Sequence, residues 1–193
     1  MNLLAISGSL RRHSHNTALL RAAAELLPGD VHLELLQGLR HVPPYDQDLD
    51  AQSTPAEVLA LRRAIDSADA LLIATPEYNS SIPGQLKNAL DWASRPVGAG
   101  VLVNKPVAVV GASTGAFGAV WAQAELRKVL AASGARVLDA ELPVPHAHER
   151  FDQHGNLIDE PTRERLREHL ELLLREASPQ GAQLAREPLP SPA

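Results

Sequence analysis

The stretch Ala70–Arg95, ALLIATPEYNSSIPGQLKNALDWASR, sets out one unit of the fold in 26 residues. Ala70–Thr75 is apolar up to its last residue and is stopped by Pro76. A run this short and this continuous reads as a strand covered on both faces. From Gly84 onward Leu86, Ala89, Leu90 and Trp92 recur three and four positions apart, the spacing of one helix face. The intervening PEYNSS, with Pro76, Pro83 and Gly84, is a stiffened connection.

The same alternation runs outward in both directions. Leu3–Ser7 (LLAIS), Val31–Leu36, Pro106–Ala112 (PVAVVGA) and Ala135–Leu138 read as further strands. Thr17–Leu27, Pro55–Ser67, Gly84–Ser94 and Val120–Ser133 read as helices, and a last one, Glu160–Ala177, opens on Asp159-Glu160-Pro161. Strand and helix alternate five times, which predicts an α/β fold with a parallel sheet and helices on both faces. The segments Gly38–Thr54 and Pro143–Asn156 are expected to be long surface connections. One domain is expected over residues 1–177. The tail 178–193, rich in Pro, Ser and Gly without apolar periodicity, is expected to be disordered.

Composition narrows the chemistry. The 193 residues are 45% hydrophobic and 21% charged, which fits an ordinary globular domain. A net charge of −5 gives no nucleic-acid footprint over the whole molecule. With no cysteine, disulfides, thiolate metal sites and cysteine nucleophiles are excluded. The apolar run at the N-terminus is too short for a signal peptide, and no stretch approaches the ~20 residues of a membrane span. The expectation is a cytoplasmic protein without membrane or nucleic-acid partners.

Three loops follow strands at the end of the sheet where parallel α/β folds bind ligands. The first, GSLRRHSHNT (Gly8–Thr17), together with Ser7 before it, offers the hydroxyls of Ser7, Ser9, Ser14 and Thr17, the Asn16 amide, the Arg11 guanidinium and the start of a helix. That set suits a phosphate monoester. A plain turn with Ser14 or Asn16 as helix N-cap explains part of it equally well. The loop matches neither GxGxxG nor GxxxxGK[ST], so dinucleotide-fold and P-loop readings lose support. Arg12, His13 and His15 read as solvated. In the second loop, outward amides could hold a flat heteroaromatic ring, with Tyr78 to stack and Asn79 and Ser80 to bond its polar edge. The third, ASTGAFG (Ala112–Gly118), brings small hydroxyl residues, and Gly115 and Gly118 permit close backbone approach to a ligand.

The segments GSLRRHSHNTALL and PEYNSSIPGQLKNALDWASR resemble the two signature segments of the NADPH-dependent FMN reductases, a family that includes quinone, chromate and azo-dye reductases. The resemblance runs from about Asn2 to Leu174. It implies a single flavodoxin-like α/β/α domain with a five-stranded parallel sheet of order 2-1-3-4-5 and FMN across the strand ends. It implies that Ser9, Arg11, Ser14, Asn16 and Thr17 hold the phosphate. It implies that Pro76, Glu77, Tyr78 and Asn79 line the isoalloxazine, and that Ser113, Thr114 and Gly115 lie near the ring edge. The implied activity passes hydride from NADPH (or NADH) through bound FMN to a small-molecule acceptor such as a quinone, azo compound, metal oxyanion or free flavin. The implied assembly is a homodimer or homotetramer. Trp121 departs from the pattern, since many relatives carry Arg there, and an interface role for Trp121 is the reading preferred.

Some residues tempt other readings. His146, His148, Glu149 and His154 have metal-ligand chemistry but lack helical i, i+4 spacing, so they read as a solvated loop. Glu77 is not needed as an acid, because the flavin carries the chemistry. The rival functions are an electron carrier of the flavodoxin kind and a binding module that has lost its flavin.

Overall fold

The computed structural model describes residues 1–178. In chain order the elements are β1 (Asn2–Ser7), α1 (His15–Leu26), β2 (His32–Leu35), a 3-10 turn (Leu39–His41), α2 (Gln47–Gln52), α3 (Ala56–Ser67), β3 (Ala70–Ala74) and α4 (Gly84–Ala93). They continue with β4 (Pro106–Ala112), α5 (Val120–Ala132), β5 (Arg136–Val137), β6 (Leu142–Val144), α6 (Ala147–Arg150) and α7 (Glu160–Ala177). Residues 179–193 of the expected tail lie outside the described residues, while Ser178 closes α7 by donating its N–H to Arg175 O.

The sheet is parallel throughout, in the order β2-β1-β3-β4-β5, with β6 also paired to β4. The central strands sort their side chains by parity. Leu4, Ile6, Leu71, Ile73, Val107 and Val109 enter one apolar layer with residues of α3, α4 and α5. Leu3, Ala5, Ala70, Leu72, Ala74, Ala108 and Val110 enter the other with residues of α1 and α7. Both faces of each strand are buried, so the runs are continuous rather than alternating. The flavodoxin-like three-layer arrangement is the one expected.

Two expectations need correction. The sheet has six strands, not five. The edge beside β4 is built in two pieces: Arg136 and Val137 pair with Pro106 and Val107, and Leu142–Val144 pair with Val110–Ala112. Between the pieces Asp139 and Glu141 leave the sheet to ion-pair with Arg127 of α5. Pro143 and Val144 of the second piece fall in the segment Pro143–Asn156, expected to be a connection; proline cannot donate to a ladder, but at an edge strand that missing donor is tolerated. The segment 38–54 is also more than a surface connection. Leu39 and Val42 are buried, and α2 forms within the segment. Polar side chains of α4 fasten it: Gln85 Nε2 donates to Leu39 O (2.7 Å) and Val42 O (2.9 Å), and Asn88 Nδ2 and Trp92 Nε1 each donate to Pro43 O at 2.8 Å.

Candidate functional site

The loops after β1, β3 and β4 meet over a cleft of about 150 Å³. It is lined by Ser9, Arg11, Ser14, His15, Asn16, Pro76, Glu77, Tyr78, Ala112, Ser113 and Thr114. Larger hollows lie beside β2 and α3 (about 430 Å³) and around Arg62 and Arg95 (about 640 Å³), but neither gathers these three loops.

The first loop turns into α1 through Ser14, whose Oγ accepts from Thr17 N at 3.3 Å. The N–H groups of His15 and Asn16 in the first turn find no acceptor among the described residues. They point out of the positive end of the helix dipole, a standing invitation to an anion. Arg11 is exposed and forms no ion pair among the described residues. Ser9 Oγ takes only a long contact, 3.4 Å, from Arg11 N. Arg40 steadies the loop by donating from Nη2 to Leu10 O at 2.8 Å.

Asn16 is buried and its amide is spoken for. Nδ2 donates to Ala112 O and Oδ1 accepts from Ala112 N, both at 2.9 Å. The side chain thereby ties the first loop to the end of β4, leaving its backbone N–H for a ligand. Thr17 does not line the cleft; its Oγ1 pairs with Ser7 Oγ at 2.8 Å.

The second loop is a miniature hairpin. Tyr78 and Ser81 exchange N–H···O bonds of 3.0 and 3.1 Å around Asn79 and Ser80, both at positive φ. Positive φ at both central positions is the type I′ pattern, which Asn tolerates well. Asn79 therefore sits at the hairpin tip rather than on the cleft wall. The N–H groups of Glu77, Asn79 and Ser80 find no acceptor among the described residues. Glu77 lines the cleft and also works elsewhere: its Oε2 accepts from Trp121 N (3.0 Å) and Ala122 N (3.1 Å). It caps α5 from another loop, since Ala119 before that helix has no capping side chain.

The third loop is held by the end of β6 and the segment that follows it. Ser113 N donates to Val144 O, Ala147 N to Ser113 O and His146 N to Gly115 O. Gly118, at φ 59°, makes its close approach to protein rather than ligand: a Cβ there would stand 2.6 Å from Val144 N. Gly115 is exposed and lies off the cleft wall. The buried Gln123 completes the clamp, donating to Gly118 O (3.1 Å) and accepting from Leu142 N (3.2 Å).

His15 and Ala112 line the cleft though neither was expected there. His15 was read as solvated; its place next to the N-cap was the available signal. Its ring lies 5.5 Å from that of Phe151, a contact 136 positions apart that no local pattern reveals. Burial, then Arg11, then His148 hold its pKa below the ordinary 6.5. His146 and His148 stand with ring centroids 6.4 Å apart, and among the described residues no three His, Asp or Glu side chains are grouped to hold a metal ion.

The chemistry of the donors fits FMN. A cation, the Ser9 hydroxyl and first-turn amides suit a dianionic phosphate, while the open amides of a rigid hairpin and small residues opposite suit a flat ring. Fold and site together define an α/β protein of the flavodoxin type, with its ligand cleft at the strand ends. The family model described as NADPH-dependent FMN reductase matches residues 1–149. The chain belongs to that family, whose members are FMN-dependent NAD(P)H oxidoreductases. It is 42% identical over 167 residues to a 2-hydroxy-1,4-benzoquinone reductase of Burkholderia sp, covering 86% of this chain and 90% of that one. It is also 42% identical over 174 residues to an NAD(P)H-dependent FMN reductase of Pseudomonas aeruginosa, covering 90% and 93%. The solved structure of FerB, a flavoenzyme NAD(P)H:(acceptor) oxidoreductase from Paracoccus denitrificans, superposes with a TM-score of 0.82 at 36% identity, covering 91% of this chain and 96% of that one.

Proposed function

We propose that this protein reduces quinones with NADPH, holding FMN with its phosphate in the cleft at the start of α1. The observation that carries the reading is the convergence of unused donors there: Arg11, Ser9 and the first-turn amides of His15 and Asn16. In this reading Ser14 and Thr17 shape the turn. Pro76, Glu77 and Tyr78 border the ring, with Asn79 at the hairpin tip beyond them, and Ser113 and Thr114 bound its far edge. When bound, FMN supplies the two-electron chemistry that links a reduced nicotinamide to the acceptor. The protein's residues hold the phosphate, fix the ring by backbone amides and leave one side open for donor and acceptor in turn.

A quinone is favoured among acceptors by the named activity of the Burkholderia relative. A nicotinamide donor made inside the cell supports a cytoplasmic location. Phe117 and Trp121 support self-association as a homodimer or homotetramer: they are 62% and 48% exposed, their rings 4.8 Å apart, beside Glu77 and the cleft. Exposed aromatic pairs of this kind favour interfaces. Trp121→Glu should lower the mass measured by light scattering towards that of the monomer; an unchanged mass would remove Trp121 from the interface.

Anaerobic stopped-flow separates an enzyme from an electron carrier. Protein loaded with FMN should lose its flavin absorbance on mixing with NADPH alone and regain it on adding a benzoquinone. An unbleached flavin contradicts the proposal.

A further inference from the structure

We propose that His15, in its protonated form, binds the phosphate of FMN and makes flavin binding proton-linked. The inference rests on reading the cleft as the FMN phosphate site. His15 is the first residue of α1 and lines the cleft between the capping Ser14 and Asn16. Its ring rests on Phe151 of the core beneath, with planes tilted by 33°. The charged groups facing it are Arg11 from its own loop and His148 from α6. Glu77, on the second loop, is the carboxylate of the cleft lining, and its Oε2 is engaged by the amides that open α5. No carboxylate forms an ion pair with His15 among the described residues.

In this setting an imidazolium has the Arg11 guanidinium beside it and no carboxylate paired with it, since Glu149 lies against His148 instead. Burial, then Arg11, then His148 disfavour the charged form of the ring while the cleft is without phosphate. A phosphate dianion supplies the missing counter-charge, and a hydrogen bond from N–H⁺ to phosphate oxygen is of the stronger, charge-assisted kind. Binding then takes up a proton. A group whose pKa rises on binding tightens that binding as pH falls through the range between its free and bound values. The link belongs to the phosphate, so riboflavin, which has the same ring without it, is indifferent.

The test is fluorescence titration of flavin-free protein with FMN and with riboflavin, at pH about 8 and about 6.5. The FMN Kd should tighten by about threefold on acidification, while the riboflavin Kd stays level. His15→Phe keeps a ring against Phe151 and should abolish the FMN effect; His15→Gln serves the same purpose if the Phe variant fails to fold. The phosphate's own second ionisation, near pH 6, opposes the effect equally in both proteins and cancels in the comparison. Calorimetry in two buffers of different ionisation enthalpy should record more proton uptake for the unsubstituted protein than for the variant. Equal FMN tightening in protein and variant, or none in either, overturns the role of His15 while leaving the flavin site intact. Failure of FMN to bind at either pH overturns the cofactor reading and this inference with it.

Discussion

Asn16 reaches from the start of α1 to the end of β4 and satisfies both backbone groups of Ala112, 96 positions away. A buried donor and acceptor left without partners each cost about 1–3 kcal/mol. Asn16→Ala should therefore destabilise the flavin-free protein by about 3 kcal/mol in urea denaturation. Equal stability of protein and Ala variant would mean the clamp is idle. Read from sequence, Asn16 was one donor among several. Its residue type and place at a strand end were legible. Its partner was not, because nothing local to HSHNT points to Ala112. Glu77 repeats the lesson, since its partners lie 44 and 45 positions away. That Ser9, Arg11 and Ser14 share one cleft wall was legible because a loop of ten residues contains them all.

At the scale of elements, α5 begins without a cap of its own and borrows the carboxylate of Glu77. An anion at a helix N-terminus is worth roughly 0.3–1 kcal/mol, more when it also accepts amide hydrogen bonds. Glu77→Ala should lower thermal stability by about 1–2 kcal/mol and raise hydrogen exchange at Trp121 and Ala122 before the rest of the helix. Unchanged exchange at those amides would deny the cap. The main strands and helices were legible because central strands of a parallel sheet are apolar on both faces and the helices carry one apolar stripe. The β6 strand was not, because LPVP mimics a loop. Neither was the docked segment 38–54, held as it is by Gln85, Asn88 and the indole N–H of Trp92, groups an apolar pattern does not register.

The molecule as a whole carries a buried histidine where α7 crosses the sheet. His169 donates from Nε2 to Val109 O at 3.1 Å, and burial, with Arg165 and Arg127 adding to it, holds its pKa below 6.5. The unfolded chain therefore binds the proton first as pH falls below about 6.5, and stability falls with it, by at most about 1.4 kcal/mol per pH unit for one group. His15 contributes in the same direction. His169→Gln keeps a donor for Val109 and should flatten the dependence between pH about 6.5 and 5 measured by urea denaturation; an unaltered slope would assign the acid sensitivity elsewhere. Above this window the fold's stability should be level with respect to these two histidines.

Through two clamps, Asn16 to Ala112 and Glu77 to α5, the whole domain brings three strand-end loops into one register. A crystal structure with FMN is the direct test of what that register holds. Phosphate seated against Arg11, Ser9 and the amides of His15 and Asn16, with the ring beside Tyr78, is the predicted result. Phosphate bound away from the first turn of α1 would contradict it.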